Sequence, residues 1–205
     1  MPPAAPSHWC DAHCHLHDIP PHDGFAALAD ARAAGLAVLV HCGTQPANWP
    51  LGARLATADS AVVPCFGLHP YWAAAPGPWL DELRAALLAQ PSAVGEIGLD
   101  RTRHGAPWPQ QEAAFAAQLA LAAELERPAM IHAVRTWQPL LTHLDAHRPP
   151  RFLLHAYNGS AELVPQLLAR GAWFSFAGAT LRPERARAHA ALRAVPADRL
   201  LAESD

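Results

Sequence analysis

The sequence predicts an α/β chain, a parallel TIM-type (β/α)8 barrel, on three observations. Eight short apolar runs alternate with seven longer stretches of helical character. Successive runs are spaced to hold one strand, one helix and two loops. Six of the runs end in histidines or carboxylates, and barrels of this class gather their chemistry at the carboxyl ends of the strands. An open doubly wound sheet is the alternative, but no glycine-rich dinucleotide fingerprint follows the first run.

Taken in order, the strands are expected over 9–16, 37–42, 61–68, 92–99, 128–133, 151–157, 172–176 and 200–203. These runs are short, many are rich in Val, Ile, Leu or Phe, and glycine or proline bounds several of them. The helices are expected over 24–34, 47–59, 79–90, 108–126, 136–147, 160–170 and 183–194. Gly35 and Gly171 each follow a periodic stretch and suit the left-handed position after a helix. The 108–126 stretch is the clearest helix, with Phe115, Leu119, Ala122 and Leu125 on one stripe. Ser160 is placed to cap the sixth helix, and Pro165 falls awkwardly inside it. No helix follows the eighth strand, so the set is one helix short of complete.

Composition narrows the function. With 205 residues, 51% hydrophobic and 16% charged, the chain suits a single domain over 1–205 and excludes a disordered one. A net charge of −3 argues against a strongly basic nucleic-acid coat protein. All 15 basic residues are arginines, which excludes lysine Schiff-base and P-loop chemistry. Cys10, Cys14, Cys42 and Cys65 form no CxxC pair and read as reduced thiols, and the first nine residues lack a signal-peptide pattern. No apolar run reaches bilayer length, so a cytoplasmic protein without a membrane partner is expected.

The polar strand ends carry the chemistry. His13 and His15 stand two apart, on one side of the first strand. The third run ends in Gly67-Leu68-His69-Pro70 and the fourth in Gly95-Glu96-Ile97-Gly98-Leu99-Asp100. The fifth ends at His132, the sixth at His155, and the eighth in Glu203-Ser204-Asp205. Converging buried charges need a partner, and a divalent cation is the economical one. His13, His15, Glu96, His132, His155 and Asp205 exceed the needs of one catalytic metal and fit two, with Glu96 between them. Such a pair suits phosphoester cleavage. Histidine favours zinc or manganese, whereas carboxylates would accept magnesium. His17, His22 and His41 read as solvated or hydrogen-bonded. Arg182, Arg185, Arg187 and Arg193 read as a solvated face, with phosphate contact as the alternative. Trp72, Trp79, Trp108 and Trp137 read as packing at helix starts, with base stacking as the alternative.

In combination, Asp11-x-His13-x-His15-Leu16, Gly67-x-His69-Pro70, the GEIGLD run, Ile131-His132, His155-x-Tyr157-x-Gly159 and Glu203-Ser204-Asp205 resemble the TatD family of metal-dependent hydrolases. So does the stretch Gln111-x-x-x-Phe115-x-x-Gln118-Leu119, followed by Arg127-Pro128. The resemblance implies a metal-dependent deoxyribonuclease of TIM-barrel fold, with trimming of DNA from 3′ ends by metal-activated water. It implies that His13, His15 and Asp205 serve one metal, that His132 and His155 serve the other, and that Glu96 is shared. Asp205 would also manage the proton of the attacking water, making Asp205 and Glu96 the catalytic pair, and His69 would contact substrate. Arg135 stands one place later than the family's arginine, whose role is phosphate contact. Relatives continue past the aspartate, so a carboxyl-terminal truncation is expected. Two other readings stay open: a hydrolase of a small ester, lactone or amide, and an inactive metal-binding fragment or partner subunit.

Overall fold

A computed structural model describes residues 9–20, 23–102 and 104–205. His22 and the first eight residues lie outside them. Eight strands form one sheet in sequence order: β1 (Trp9–Cys14), β2 (Leu36–Cys42), β3 (Val62–Phe66), β4 (Ala93–Asp100), β5 (Ala129–Val134), β6 (Phe152–Leu154), β7 (Ala172–Ala177) and β8 (Leu200–Glu203). Every neighbouring pair is parallel. The helices between them are α1 (Gly24–Ala33), α2 (Trp49–Ala58), α3 (Trp79–Ala89), α4 (Trp108–Glu124), α5 (Trp137–His147), α6 (Val164–Leu168) and α7 (Ala186–Ala194). This is the expected TIM-like barrel, nearly closed and ending at β8.

Each strand sends a residue to a common interior cluster, from Ala12 on β1 to Leu201 on β8, and Met130 and Trp173 fill much of its volume. The alternate residues face the helices: Phe152 and Leu154 on β6 and Phe174 on β7 are fully buried against them. This alternation is why β6 reads as a continuous apolar run. Trp79, Trp108 and Trp137 begin α3, α4 and α5 and pack against the outer core, as expected, whereas Trp72 begins no helix and is exposed.

Gly35 and Gly171 take positive φ, 91° and 87°, at the expected helix ends. Two local expectations fail around the sixth strand and helix. The sixth strand stops at Leu154 because the chain turns away there: Ala156 is left-handed at φ 42° and gives its N–H to Glu203. The sixth helix is split, with a 3-10 turn over Ala161–Leu163 before α6, and Ser160 makes no side-chain cap. Pro165 is then harmless, because it sits in the first turn of α6, where its missing N–H has no partner to lose.

Barrel closure falls between β8 and β1. Asp11 accepts the backbone N–H of Ser204 at 3.0 Å and its hydroxyl at 2.6 Å, while the Asp205 N–H reaches the His13 carbonyl at 3.1 Å.

Candidate metal centre

The carboxyl mouth of the barrel holds a cavity of about 380 Å³, lined by His15, His69, Glu96, His132, His155 and Asp205 among others. Glu96 is at its centre, and its two oxygens face different partners. Oε2 lies 3.4 Å from His13 Nε2 and 3.2 Å from His15 Nε2. Asp205 Oδ1 approaches the same two nitrogens at 3.6 and 3.9 Å. Oε1 lies 2.8 Å from His155 Nε2, 3.0 Å from His132 Nδ1 and 3.3 Å from His69 Nε2. The two groups adjoin: the His13 and His155 rings stack with centroids 3.9 Å apart.

The local backbone explains how these side chains come together. His13 and His15 share a side of the strand and the residue after it, and the N–H of His13 is held by Asp11 at 3.2 Å. The GEIGLD glycines let β4 and β5 approach. Gly98 has φ 153°, and a Cβ there would stand 1.9 Å from the His132 carbonyl oxygen. Two buried glutamines, two turns apart on one face of α4, fasten the strand ends. Gln111 Oε1 accepts the Asp100 N–H at 2.8 Å and its amide donates to the Asp100 carbonyl. Gln118 makes the same paired contact with Leu68, 2.7 Å to its N–H, just before His69.

Outer contacts orient the rings. The Nδ1–H of His15 donates to the Cys42 carbonyl at 2.8 Å, and His132 Nε2–H donates to Asp100 Oδ2 at 2.8 Å. His13 Nδ1 meets the Cys42 sulfur at 3.3 Å. Burial pushes that thiol far above its ordinary range, so it meets His13 uncharged. Behind His155, Glu203 accepts the Ala156 N–H at 2.7 Å and the Ser175 hydroxyl.

Charge at the site is sharply divided. Burial, reinforced by the charge of His155, lowers His13 to about 4. Burial also opposes charge on His15 and His132, but Glu96 at His15, and Asp100 with Glu96 at His132, outweigh it and raise both to about 9. Glu96 is fully enclosed, yet the imidazoles of His155, His69 and His13 overcome burial and hold its carboxyl well below the usual range.

These donors fit a divalent cation. His13 Nε2 and His15 Nε2 face each other at 3.0 Å, so without a proton or cation between them their lone pairs would repel. The other nitrogen of each ring is occupied by Cys42, which leaves both Nε2 atoms aimed at Glu96 Oε2 and Asp205. Among the described residues, three sets of donors lie within binding range of a single ion: His13, His15 and Glu96; His69, Glu96 and His132; and His13, His155 and Glu203.

Of the residues singled out in the sequence, His13, His15, His69, Glu96, His132, His155 and Asp205 converge. Arg135 does not: it is exposed just beyond β5 and is not among the cavity residues. Asp100, Cys42 and Glu203 acquire roles that sequence reasoning missed. Asp100 and Glu203 carried a signal, as carboxylates at strand ends. The Cys42 carbonyl carried none. His41 is buried, with Nδ1 accepting the Leu16 N–H at 3.2 Å. His17 meets Asn48 at 3.1 Å.

An eight-stranded parallel barrel with imidazoles and carboxylates gathered at its carboxyl mouth defines a metal-dependent hydrolase. The family model described as TatD related DNase matches residues 10–205, and the chain belongs to that family. A protein of Cronobacter sakazakii called 3'-5' ssDNA/RNA exonuclease TatD is 33% identical over 192 residues, 90% of this chain and 72% of that protein. The Escherichia coli protein YjjV, described as an uncharacterized metal-dependent hydrolase, is 30% identical over 95% of this chain and 78% of its own. The crystal structure of YjjV superposes with a TM-score of 0.87, covering 96% of this chain and 78% of that one. A probable 2-pyrone-4,6-dicarboxylic acid hydrolase from Acinetobacter baumannii, 12% identical with a TM-score of 0.64, shares the fold.

Proposed function

We propose that this chain hydrolyses phosphodiester bonds in single-stranded nucleic acid, DNA in the first instance, working inward from a 3′ end. The observation that carries the reading is Glu96, whose two oxygens each face a separate group of imidazoles. That arrangement suits two cations sharing one carboxylate. His13, His15 and Asp205 would hold one, His132 and His155 the other, with magnesium, manganese or zinc as occupants. Such ions supply charge neutralisation at the phosphoryl group and a lowered pKa for the attacking water. The exonuclease relatives support the substrate class.

The chain's own groups do the rest. Asp205 has the most exposed carboxylate of the cluster, 31% accessible, and is placed to take the proton of the attacking water. His69 is driven toward its neutral form by burial, and its ring lines the cavity, where it contacts the substrate. Tyr71 and Trp72 are 41% and 45% exposed on the cavity wall, open to stacking by a nucleobase. Residues 1–205 act as one hydrolase domain. No helix among the described residues is long and apolar enough to cross a membrane. All four cysteines are free, which supports a reducing, cytoplasmic location.

The test is digestion of end-labelled single-stranded DNA by chelated protein resupplied with each metal, beside a panel of small esters and lactones. A ladder shortening from the 3′ end is expected, with turnover lost in Glu96→Ala and Asp205→Asn. Ester turnover without DNA cleavage would move the chain to the small-molecule class, and full activity in both variants would remove the mechanism.

A further inference from the structure

Beyond Asp205 lies a second cavity, of about 410 Å³, which the chemistry above does not use. Its walls come from Tyr157 and Asn158 after β6, from Thr180, from Glu184 and Arg185 at the approach to α7, and from Arg187 in its first turn. Asp205 lines both this cavity and the metal cavity, so the two meet at the residue that manages the attacking water. The expected basic helix over 183–194 begins only at Ala186, which leaves Arg185 at its N-cap beside this cavity.

The arginines here differ from several others in the chain. Arg32, Arg84 and Arg170 are paired with Asp59, Glu124 and Asp145, and Arg101 lies over the Trp108 ring. Arg182, Arg185 and Arg187 are exposed and make no ion pair among the described residues. A guanidinium presents a planar fork of donors that matches phosphate oxygens. Glu184 faces the same cavity and moderates the field, whereas the charge of Asp205 is directed to the metal cluster.

We infer that this cavity is a second phosphate subsite, in which Arg185 and Arg187 hold the polynucleotide phosphate flanking the one cut at the metal centre. The inference rests on the phosphodiesterase reading and adds the direction in which the strand leaves the centre. A strand with its scissile phosphate beside Asp205 meets Tyr71 and Trp72 on one side and the arginines on the other.

The experiment measures binding of a fluorescent single-stranded oligonucleotide in chelator, across a salt series. In parallel it measures metal-loaded turnover of that oligonucleotide and of thymidine 5′-p-nitrophenyl phosphate, a single phosphodiester with no flanking phosphate. The Arg185→Gln/Arg187→Gln variant should bind the oligonucleotide about tenfold more weakly and raise its KM similarly. Its log–log salt slope should be shallower by about 1.4, for two lost contacts. Turnover of the single phosphodiester should be unchanged. Glu184→Gln should bind more tightly, and Arg193→Gln, on the same helix but away from the cavity, should match wild type. Unchanged oligonucleotide binding in the double variant, or an equal loss in Arg193→Gln, overturns the subsite. Wild-type protein that binds the oligonucleotide through Arg185 and Arg187 yet cleaves neither substrate overturns the phosphodiesterase reading and leaves the subsite standing.

Discussion

A carboxylate as enclosed as Glu96 would ordinarily be neutral, yet it is ionised because five imidazole nitrogens lie within 3.4 Å of its oxygens. In the cation-free protein, protons on His15 and His132 supply part of the positive charge it needs. Burial resists those protons, but Glu96 at His15, and Asp100 with Glu96 at His132, raise both rings to about 9, above the unfolded value near 6.5. Their contribution to stability is therefore complete below pH 6.5 and is lost as pH rises through 9. A cation needs the same nitrogens deprotonated, so its affinity climbs over that interval. The melting temperature of chelated protein should fall between pH 7 and 9.5, while the upward shift on adding zinc or manganese grows. A flat chelated profile would contradict this. Cys42 is the less obvious participant, since its carbonyl orients His15 and its thiol faces His13. Cys42→Ala keeps the first contact and removes the second. Metal affinity should drop about tenfold, the lower end for outer contacts of a ligand, with His13 tautomers mixed by nitrogen NMR. Wild-type affinity would assign the thiol to packing alone.

At the level of elements, α4 is the brace of the site. Its apolar stripe was legible from Phe115, Leu119 and Ala122, but the same face buries Gln111 and Gln118, whose amides saturate backbone groups at Asp100 and Leu68. Gln118→Leu would preserve size and orphan both buried groups of Leu68, costing about 2–4 kcal/mol. Urea titration should show that loss, and a neutral result would mean that water replaces the amide. Gly98→Ala is harsher, because its Cβ would collide with a carbonyl oxygen of β5 rather than a movable side chain. Destabilisation above about 4 kcal/mol is expected, read as loss of soluble folded protein. The strands and most helices could be read from periodicity because burial on alternating faces writes itself into residue type. The early end of β6 could not, since it follows from Ala156 giving its N–H to Glu203, a partner 47 positions away. The histidines of the site were legible because a polar residue closing an apolar run is conspicuous. Arg135 had no such signal of its own: it rested on the resemblance, from whose pattern it stands one place late, and its exposed side chain is not among the cavity residues.

The whole molecule is a parallel sheet curled until its first and last strands meet, with the reactive groups drawn from β1, β4, β5, β6 and the end of β8. Neighbouring strands from β1 to β8 are zipped by ladders, whereas β8 and β1 are held at the mouth by Asp11, Ser204 and the Asp205 N–H. Asp11→Ala removes both Ser204 contacts and the tether on the His13 N–H. Hydrogen exchange should accelerate in β1 and β8 well before it does in β4 and β5, with roughly 2–3 kcal/mol lost for the charged contacts. Uniform exchange across the sheet would show the closure to be redundant. The position of this join has a further consequence. His13 and His15, which face Glu96 Oε2, and Asp205, which faces both rings, lie on or just past the two strands that meet there, so the barrel cannot breathe open along that seam without scattering them. An ion bound among them would act as a rivet across the seam, and losing it would be felt first as a gap in the wall of the barrel.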